Sequence, residues 1–192
     1  MSMYVEIRWH GRGGQGTVTG AKALAKVVQK MGKYVVAFPE YGPERRGAPL
    51  KAFNRFSDGR IRIHTPVIKP NIVIIVDPTL IESPDVKQGI SDDTIFIINS
   101  EKSAFSLKQK LGLPSSNKVF TVPANNISKE IFDREIPNSA VMGAFVRACP
   151  HVMNIDRMLK ETDYIFEEIL GADLVERNLE AIKRGYAEGG NA

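Results

Sequence analysis

Gly11-Arg12-Gly13-Gly14-Gln15-Gly16 is flanked by Tyr4-Val5-Glu6-Ile7-Arg8-Trp9 on one side and Thr17-Val18-Thr19-Gly20-Ala21-Lys22-Ala23-Leu24 on the other. The first flank is a short apolar-rich run and reads as a strand. The second continues to Met31, with Val18, Ala21, Leu24, Ala25, Val28 and Met31 on one stripe. That spacing predicts a helix from about Gly16 to Met31. Strand, glycine turn, helix is the context in which such a loop has a physical use. Glycines lack Cβ, so backbone N–H groups can approach an anion. The helix points its positive end at the same place. The same glycines also permit tight packing of strand on helix, and the residues alone leave both uses open. Gly11, Gly13 and Gly16 fit G-x-G-x-x-G, but a dinucleotide site needs an acidic residue about 20 positions on, ending the next strand. That strand, Tyr34 to Phe38, is followed by Pro39, with Glu40 out of register. The loop is of Rossmann type, and the missing acid argues against NAD.

Working outward, Gly32 stops the helix and the second strand follows at once. A unit joined by such short links should be right-handed with parallel strands. The stretch from Pro39 to Pro49 holds three prolines and two glycines and reads as a loop. Period two then takes over. Leu50-Lys51-Ala52-Phe53-Asn54-Arg55-Phe56 and Arg60-Ile61-Arg62-Ile63-His64 flank Ser57-Asp58-Gly59, a β-hairpin signal. Such a hairpin would add to an edge of a parallel sheet.

Ile72-Val73-Ile74-Ile75-Val76 and Thr94-Ile95-Phe96-Ile97-Ile98-Asn99 read as strands buried on both faces. One or two helices, broken by Pro84 and ended by Gly89, should join them. Ser103 to Leu111 reads as a helix and Lys118 to Val122 as a strand. From Pro137 onward the chain looks helical. Asn138 or Ser139 could cap a segment up to Cys149 that is apolar nearly all round and so buried. Two amphipathic stripes follow, Ile155, Met158, Leu159, Thr162, Ile165, Phe166, Ile169 and then Val175, Leu179, Ile182, Tyr186. Gly189 to Ala192 should fray. The expected fold is α/β: a Rossmann-like three-layer open mixed sheet with an added β-hairpin and C-terminal helices, in one domain over 1–192.

The 192 residues are 43% hydrophobic and 25% charged, enough for a core without staples. The net charge of +4 fits an acidic partner surface or an anionic ligand. One cysteine, Cys149, excludes an internal disulfide and a cysteine-ligated cluster held by this chain alone. His10, His64 and His151 have no ligand spacing. The start carries no leader pattern and no apolar run is long enough for a membrane span, so a cytoplasmic protein is expected.

Catalytic constellations are scarce. There is no Gly-x-Ser-x-Gly elbow and no phosphate-binding Gly-Lys-Ser/Thr. Asp92-Asp93 reads as a solvated turn, and Cys149 as a small hydrophobe in an apolar helix. Asp77, at a strand's carboxyl end, is placed either for a ligand or for an ordinary Asp-Pro turn. Two stretches rise above this background. One is the glycine loop, where Gln15 and Thr17 add side-chain hydrogen-bonding groups. The other is Glu44-Arg45-Arg46-Gly47, whose paired guanidinium groups suit a phosphate or carboxylate. Basic residues continue through Lys51, Arg55, Arg60 and Arg62, but aromatic interleaving is slight, so a protein contact ranks above nucleic acid.

Taken together, Gly11-Arg12-Gly13-Gly14-Gln15-Gly16 and Tyr41-Gly42-Pro43-Glu44-Arg45-Arg46-Gly47-Ala48-Pro49 resemble the gamma subunits of 2-oxoacid:ferredoxin oxidoreductases. The pyruvate:ferredoxin oxidoreductase (pyruvate synthase) branch is the most similar. Pro137-Asn138, Met142-Gly143-Ala144 and Arg177-Asn178-Leu179-Glu180-Ala181 resemble the family's helical end, so the likeness spans nearly the whole chain. The Arg45-Arg46-Gly47-Ala48-Pro49 form looks more like pyruvate or branched-chain members than 2-oxoglutarate ones. The resemblance implies one subunit of an assembly with alpha, beta and delta chains, delivering electrons to ferredoxin. It implies thiamine diphosphate, magnesium, iron–sulfur clusters and coenzyme A in the assembly, with no cofactor held by this chain alone. It implies no catalytic residue here, no metal, no nucleic acid and no membrane. Gly13, Gly14, Gln15, Gly16 and Thr17 become candidates for touching the coenzyme A phosphates, and Glu44, Arg45 and Arg46 for a subunit contact. A different 2-oxoacid (2-oxoisovalerate, 2-oxoglutarate or indolepyruvate) and a free-standing nucleotide- or nucleic-acid-binding module are the alternatives.

Overall fold

Ile72–Ile75 forms strand β4, and its alternate side chains feed two separate cores. Ile72 and Ile74 point into the larger, with Trp9, Leu24 and Phe145; Val73 and Ile75 point into the smaller, with Phe96, Leu107 and Val119. An all-apolar strand is what a sheet covered on both faces requires. The computed structural model describes residues 4–40, 47–167 and 171–191.

In chain order the elements are β1 Tyr4–Arg12, α1 Thr17–Lys30, β2 Tyr34–Glu40, β3 Pro49–Ser57 and β4. A short 3-10 turn, Pro78–Leu80, and α2 Pro84–Lys87 lead to β5 Ile95–Asn99. Next come α3 Ala104–Leu111, β6 Lys118–Val122, α4 Ala124–Phe132 and α5 Asn138–Ala148. The chain closes with α6 Ile155–Glu167, α7 Ala172–Glu188 and β7 Gly190–Asn191. The seven strands make one mixed sheet in the order β2-β3-β1-β4-β5-β6-β7. β1, β4, β5 and β6 run parallel, and β3 lies antiparallel between β1 and β2. Helices α1 and α4 to α7 bury their apolar stripes on one face, while α2 and α3 cover β4 to β6 on the other.

The expected α/β three-layer mixed sheet is present, with three corrections. The hairpin joins β2 to β3, not β3 to Arg60–His64. β3 has no free edge to offer that segment, because β1 pairs with it from Tyr4–Ser57 to Arg12–Pro49 and β2 from Tyr34–Ser57 to Glu40–Lys51. β1 and β2 do run parallel, but with β3 between them. The tail does not fray at Gly190 and Asn191, which pair with Thr121 and Phe120 and occupy the edge of β6. Finally, neither Asn138 nor Ser139 caps α5, whose N-cap is Pro137. Asn138 packs instead against Gly16 and Gly20 of the first loop and helix, and the Ser139 hydroxyl donates to Asn178 Oδ1 at 2.6 Å. Ile169 of the amphipathic stripe lies outside the described residues.

Helix α5 is buried at every position from Ser139 to Val146. It contacts α7 backbone to backbone: a Cβ on Gly143 would sit 2.0 Å from the Ile182 carbonyl oxygen, and one on Gly185 2.0 Å from that of Ala140. Across the sheet, Asn54 of β3 ties three elements together. Its Oδ1 accepts from the Trp9 indole at 2.7 Å and its Nδ2 donates to the Ala21 carbonyl at 2.9 Å.

Candidate functional site

The carboxyl ends of β1, β4, β5 and β6 share one edge of the sheet, where ligands of open α/β folds sit. The glycine loop leaves β1 at this edge. Its form is set by internal bonds. Arg12 N–H donates to Gln15 Oε1 at 2.8 Å, Gln15 N–H to the Arg12 carbonyl at 3.3 Å, and Gly13 N–H to the Ala48 carbonyl at 3.2 Å. Gly16 is left-handed, with φ 74°, and a Cβ there would meet the Asn138 side chain at 3.0 Å. Both facts require glycine. At Gly11 a Cβ would overlap the Thr17 hydroxyl at 2.0 Å, so this glycine lets α1 start directly against β1.

Asp77, just past β4, gathers the loop. Its Oδ2 accepts from Gln15 Nε2 at 2.7 Å and pairs with Arg12 Nε at 3.1 Å. Its Oδ1 accepts from Thr79 N–H at 2.8 Å and the Thr79 hydroxyl at 2.6 Å. Arg12 also donates to Thr79 Oγ1 and to the Gly47 carbonyl, both at 3.1 Å. Burial pushes the Asp77 pKa up, but the Thr79 and Gln15 hydrogen bonds and the Arg12 charge outweigh it, holding the carboxyl below its ordinary value. The two readings of Asp77 thus meet: it shapes the turn, and through it the glycine loop.

This network places the predicted site residues plainly. Both ends of the Gln15 amide bond to protein, and the Thr17 hydroxyl is buried against Gly11 with no partner. Neither side chain faces outward. What the loop offers is backbone. Among the described residues, the N–H groups of Gly14, Gly16, Thr17, Val18 and Thr19 have no protein acceptor. Helix α1 has no side-chain cap and no acidic residue in its first turn. Gly14 is exposed, with φ 98° and nothing within 4 Å of its Cβ position. Free donors and a helix dipole are the chemistry that anion binding uses, while the nearby Asp77 carboxylate is already engaged by Gln15, Arg12 and Thr79. Along the same edge lies a cleft of 420 Å³ bordered by Pro78, Asn99, Ser100, Lys102, Pro123 and Asn125. Glu44, Arg45 and Arg46 lie outside the described residues.

A second polar cluster escaped the sequence reading. Arg8 and His10 alternate with Ile7 and Trp9 along β1, which puts them on the face away from α1. Arg8 Nε donates to His10 Nε2 at 3.0 Å, so His10 carries its proton on Nδ1. The second Arg8 nitrogen, Nη2, donates to the Val86 and Gln88 carbonyls at 3.1 and 2.7 Å. Lys51 pairs with Asp85 at 2.8 Å beside a 210 Å³ cavity that His10 also lines. Burial, then the Arg8 and Lys51 charges, push the His10 pKa down to about 3. The signal available in sequence was Arg8-x-His10 within an apolar strand.

His10 therefore makes the protein acid-sensitive. Its folded pKa is depressed, so the unfolded chain binds the extra proton first, and stability falls as pH drops below about 6.5 toward 3. Wild type should lose on the order of 1 kcal/mol between pH 7.5 and 5.5 through this group. His10→Gln keeps an acceptor for Arg8 and should remove that loss, read by urea unfolding at the two pH values. Equal pH sensitivity in both proteins would refute the assignment. Cys149 is fully buried with its thiol pushed up to about 12, which leaves it an inert packing residue.

Comparison with known proteins converges. Residues 6–188 match the family described as pyruvate ferredoxin/flavodoxin oxidoreductase. The chain is 38% identical over 185 residues to pyruvate synthase subunit PorC of Thermotoga maritima, covering 96% of this chain and 94% of the relative. It is 42% identical over 184 residues to the pyruvate/ketoisovalerate oxidoreductases common subunit gamma of Thermococcus kodakarensis, covering 95% of each. The crystal structure of pyruvate oxidoreductase subunit PORC from Thermotoga maritima superposes with a TM-score of 0.84 at 35% identity, covering 98% of both chains. With sequence and fold in agreement over nearly its full length, the chain belongs to the pyruvate ferredoxin/flavodoxin oxidoreductase family.

Proposed function

We propose that this chain is the gamma-type subunit of a pyruvate:ferredoxin oxidoreductase. The assembly converts pyruvate, coenzyme A and oxidised ferredoxin to acetyl-CoA, carbon dioxide and reduced ferredoxin. The observation that carries the reading is the likeness over the whole chain to subunits named for that activity. Thiamine diphosphate, magnesium and iron–sulfur clusters are assigned to the alpha, beta and delta chains, and coenzyme A supplies the thiol that accepts the acyl group. Glu44, Arg45 and Arg46 are proposed as a contact with those chains.

The chain's own part is positional. The donors of Gly14, Gly16 and Thr17 at the start of α1 fit a phosphate of coenzyme A, with Gly13 and Gln15 holding the loop's shape. Gly14→Asp tests this, because the site is open and Asp tolerates positive φ better than most residues. Gly14→Asn has the same shape without the charge. In the reconstituted complex, Gly14→Asp should raise the KM for coenzyme A about fivefold over Gly14→Asn, from about 1 kcal/mol of repulsion. The KM for pyruvate should not move. Equal coenzyme A constants in the two variants would remove the loop from the binding site, and pyruvate-dependent dye reduction by the chain alone would refute the subunit reading.

A further inference from the structure

The segment from 58 to 71 joins β3 to β4 without helix or strand, and residues 60–64 run with neither turn nor bend. It lies against the face of β3 opposite α1, since Asn54 reaches Ala21 of α1 and Arg55 points the other way. Arg55, only 2% exposed, fastens it there. Nη1 donates to the Ile63 and Thr65 carbonyls at 3.4 and 2.6 Å, Nη2 to the Pro66 carbonyl at 3.3 Å, and Nε to Glu6 at 2.7 Å. Carbonyls 63 and 65 thus face inward on one edge. In an unbent chain, alternate residues point their backbone groups to opposite edges. The N–H and C=O groups of Arg62 and His64 therefore face outward, and among the described residues nothing bonds to them.

The side chains add a chemistry. Arg60, Arg62, His64 and Lys69 are exposed. The single acid between 58 and 69 is Asp58, which pairs with Lys33. Ile63 and Ile68 are 51% and 66% exposed, high for isoleucine. The alternation Arg60-Ile61-Arg62-Ile63-His64 is that of a strand, yet among the described residues no strand pairs with it.

We propose that residues 60–64 are the docking edge for an acidic, extended segment of a partner subunit, which pairs with them as a strand. This rests on the subunit reading above. The backbone of Arg62 and His64 supplies the ladder bonds, Arg60 and Arg62 select carboxylates, and Ile63 and Ile68 gain apolar cover. A second copy of this chain fits poorly, since its own strip would bring like charges together.

The test compares amide hydrogen exchange of residues 60–64 in the free chain and in the complex reconstituted with its partner subunits. Exchange in the complex should slow at least about tenfold. Arg60→Glu/Arg62→Glu should weaken assembly at least about tenfold, with a loss that shrinks as salt rises, while its unfolding midpoint stays that of wild type. Unslowed exchange in an assembled wild-type complex overturns the docking edge and leaves the subunit reading standing. Slow exchange in a dimer of the free chain overturns it in favour of self-pairing. Failure of the wild-type chain to assemble overturns the subunit reading and this proposal with it.

Discussion

Gly143→Ala and Gly185→Ala should each destabilise the protein by about 4 kcal/mol, at the upper end for single substitutions. In both cases the added methyl meets backbone: the Ile182 carbonyl oxygen at 2.0 Å from position 143, the Ala140 carbonyl oxygen at 2.0 Å from position 185. A side chain could rotate away, but a carbonyl inside a helix cannot. Relief requires α5 and α7 to separate, and α5 is buried on all sides, so the strain passes into a closely packed core. Gly59→Ala is the control. It also adds one methyl, but at a position with nothing within 4 Å, and should stay within about 0.5 kcal/mol of wild type. Urea unfolding midpoints decide the matter. A Gly143→Ala midpoint equal to that of Gly59→Ala would mean that the helices do not approach as described.

Asn54→Leu should cost about 3 kcal/mol. Leucine has a similar volume, so the loss comes from hydrogen bonding rather than a void. The Trp9 indole N–H is left at a fully buried position without an acceptor. The Ala21 carbonyl keeps its helical donor and suffers less. Coupling separates these terms. Trp9→Phe removes the stranded donor, so the loss in Trp9→Phe/Asn54→Leu should be at least about 1 kcal/mol smaller than the sum of the single losses. Simple additivity would show that the indole has found another acceptor.

The interior strands were legible in sequence because a strand covered on both faces must be apolar throughout. Ile72 to Val76 and Thr94 to Asn99 carry that mark and occupy the middle of the sheet. The glycine loop was legible because Gly11 and Gly16 answer to local geometry. Strand order was not. Lys51 to Phe56 alternates as an edge strand would, yet β3 is interior, because polar Asn54 and Arg55 are satisfied by Trp9, Ala21, Glu6 and the 58–71 segment. Helix α4 went unread because its apolar residues, Ala124, Ile127, Ile131 and Phe132, are few and separated by polar ones. The role of Asp77 needed three dimensions, since Arg12 and Gln15 lie more than sixty residues away in sequence.

The seating of α7 against α5 bears on how the polypeptide is made. Sealing the larger core depends on Ile182 and Gly185, and pairing the edge of β6 depends on Gly190 and Asn191. All four are translated after α5. Until α7 and β7 have emerged from the ribosome, the apolar side of α5 lacks that cover, and nascent chains have every reason to recruit a chaperone.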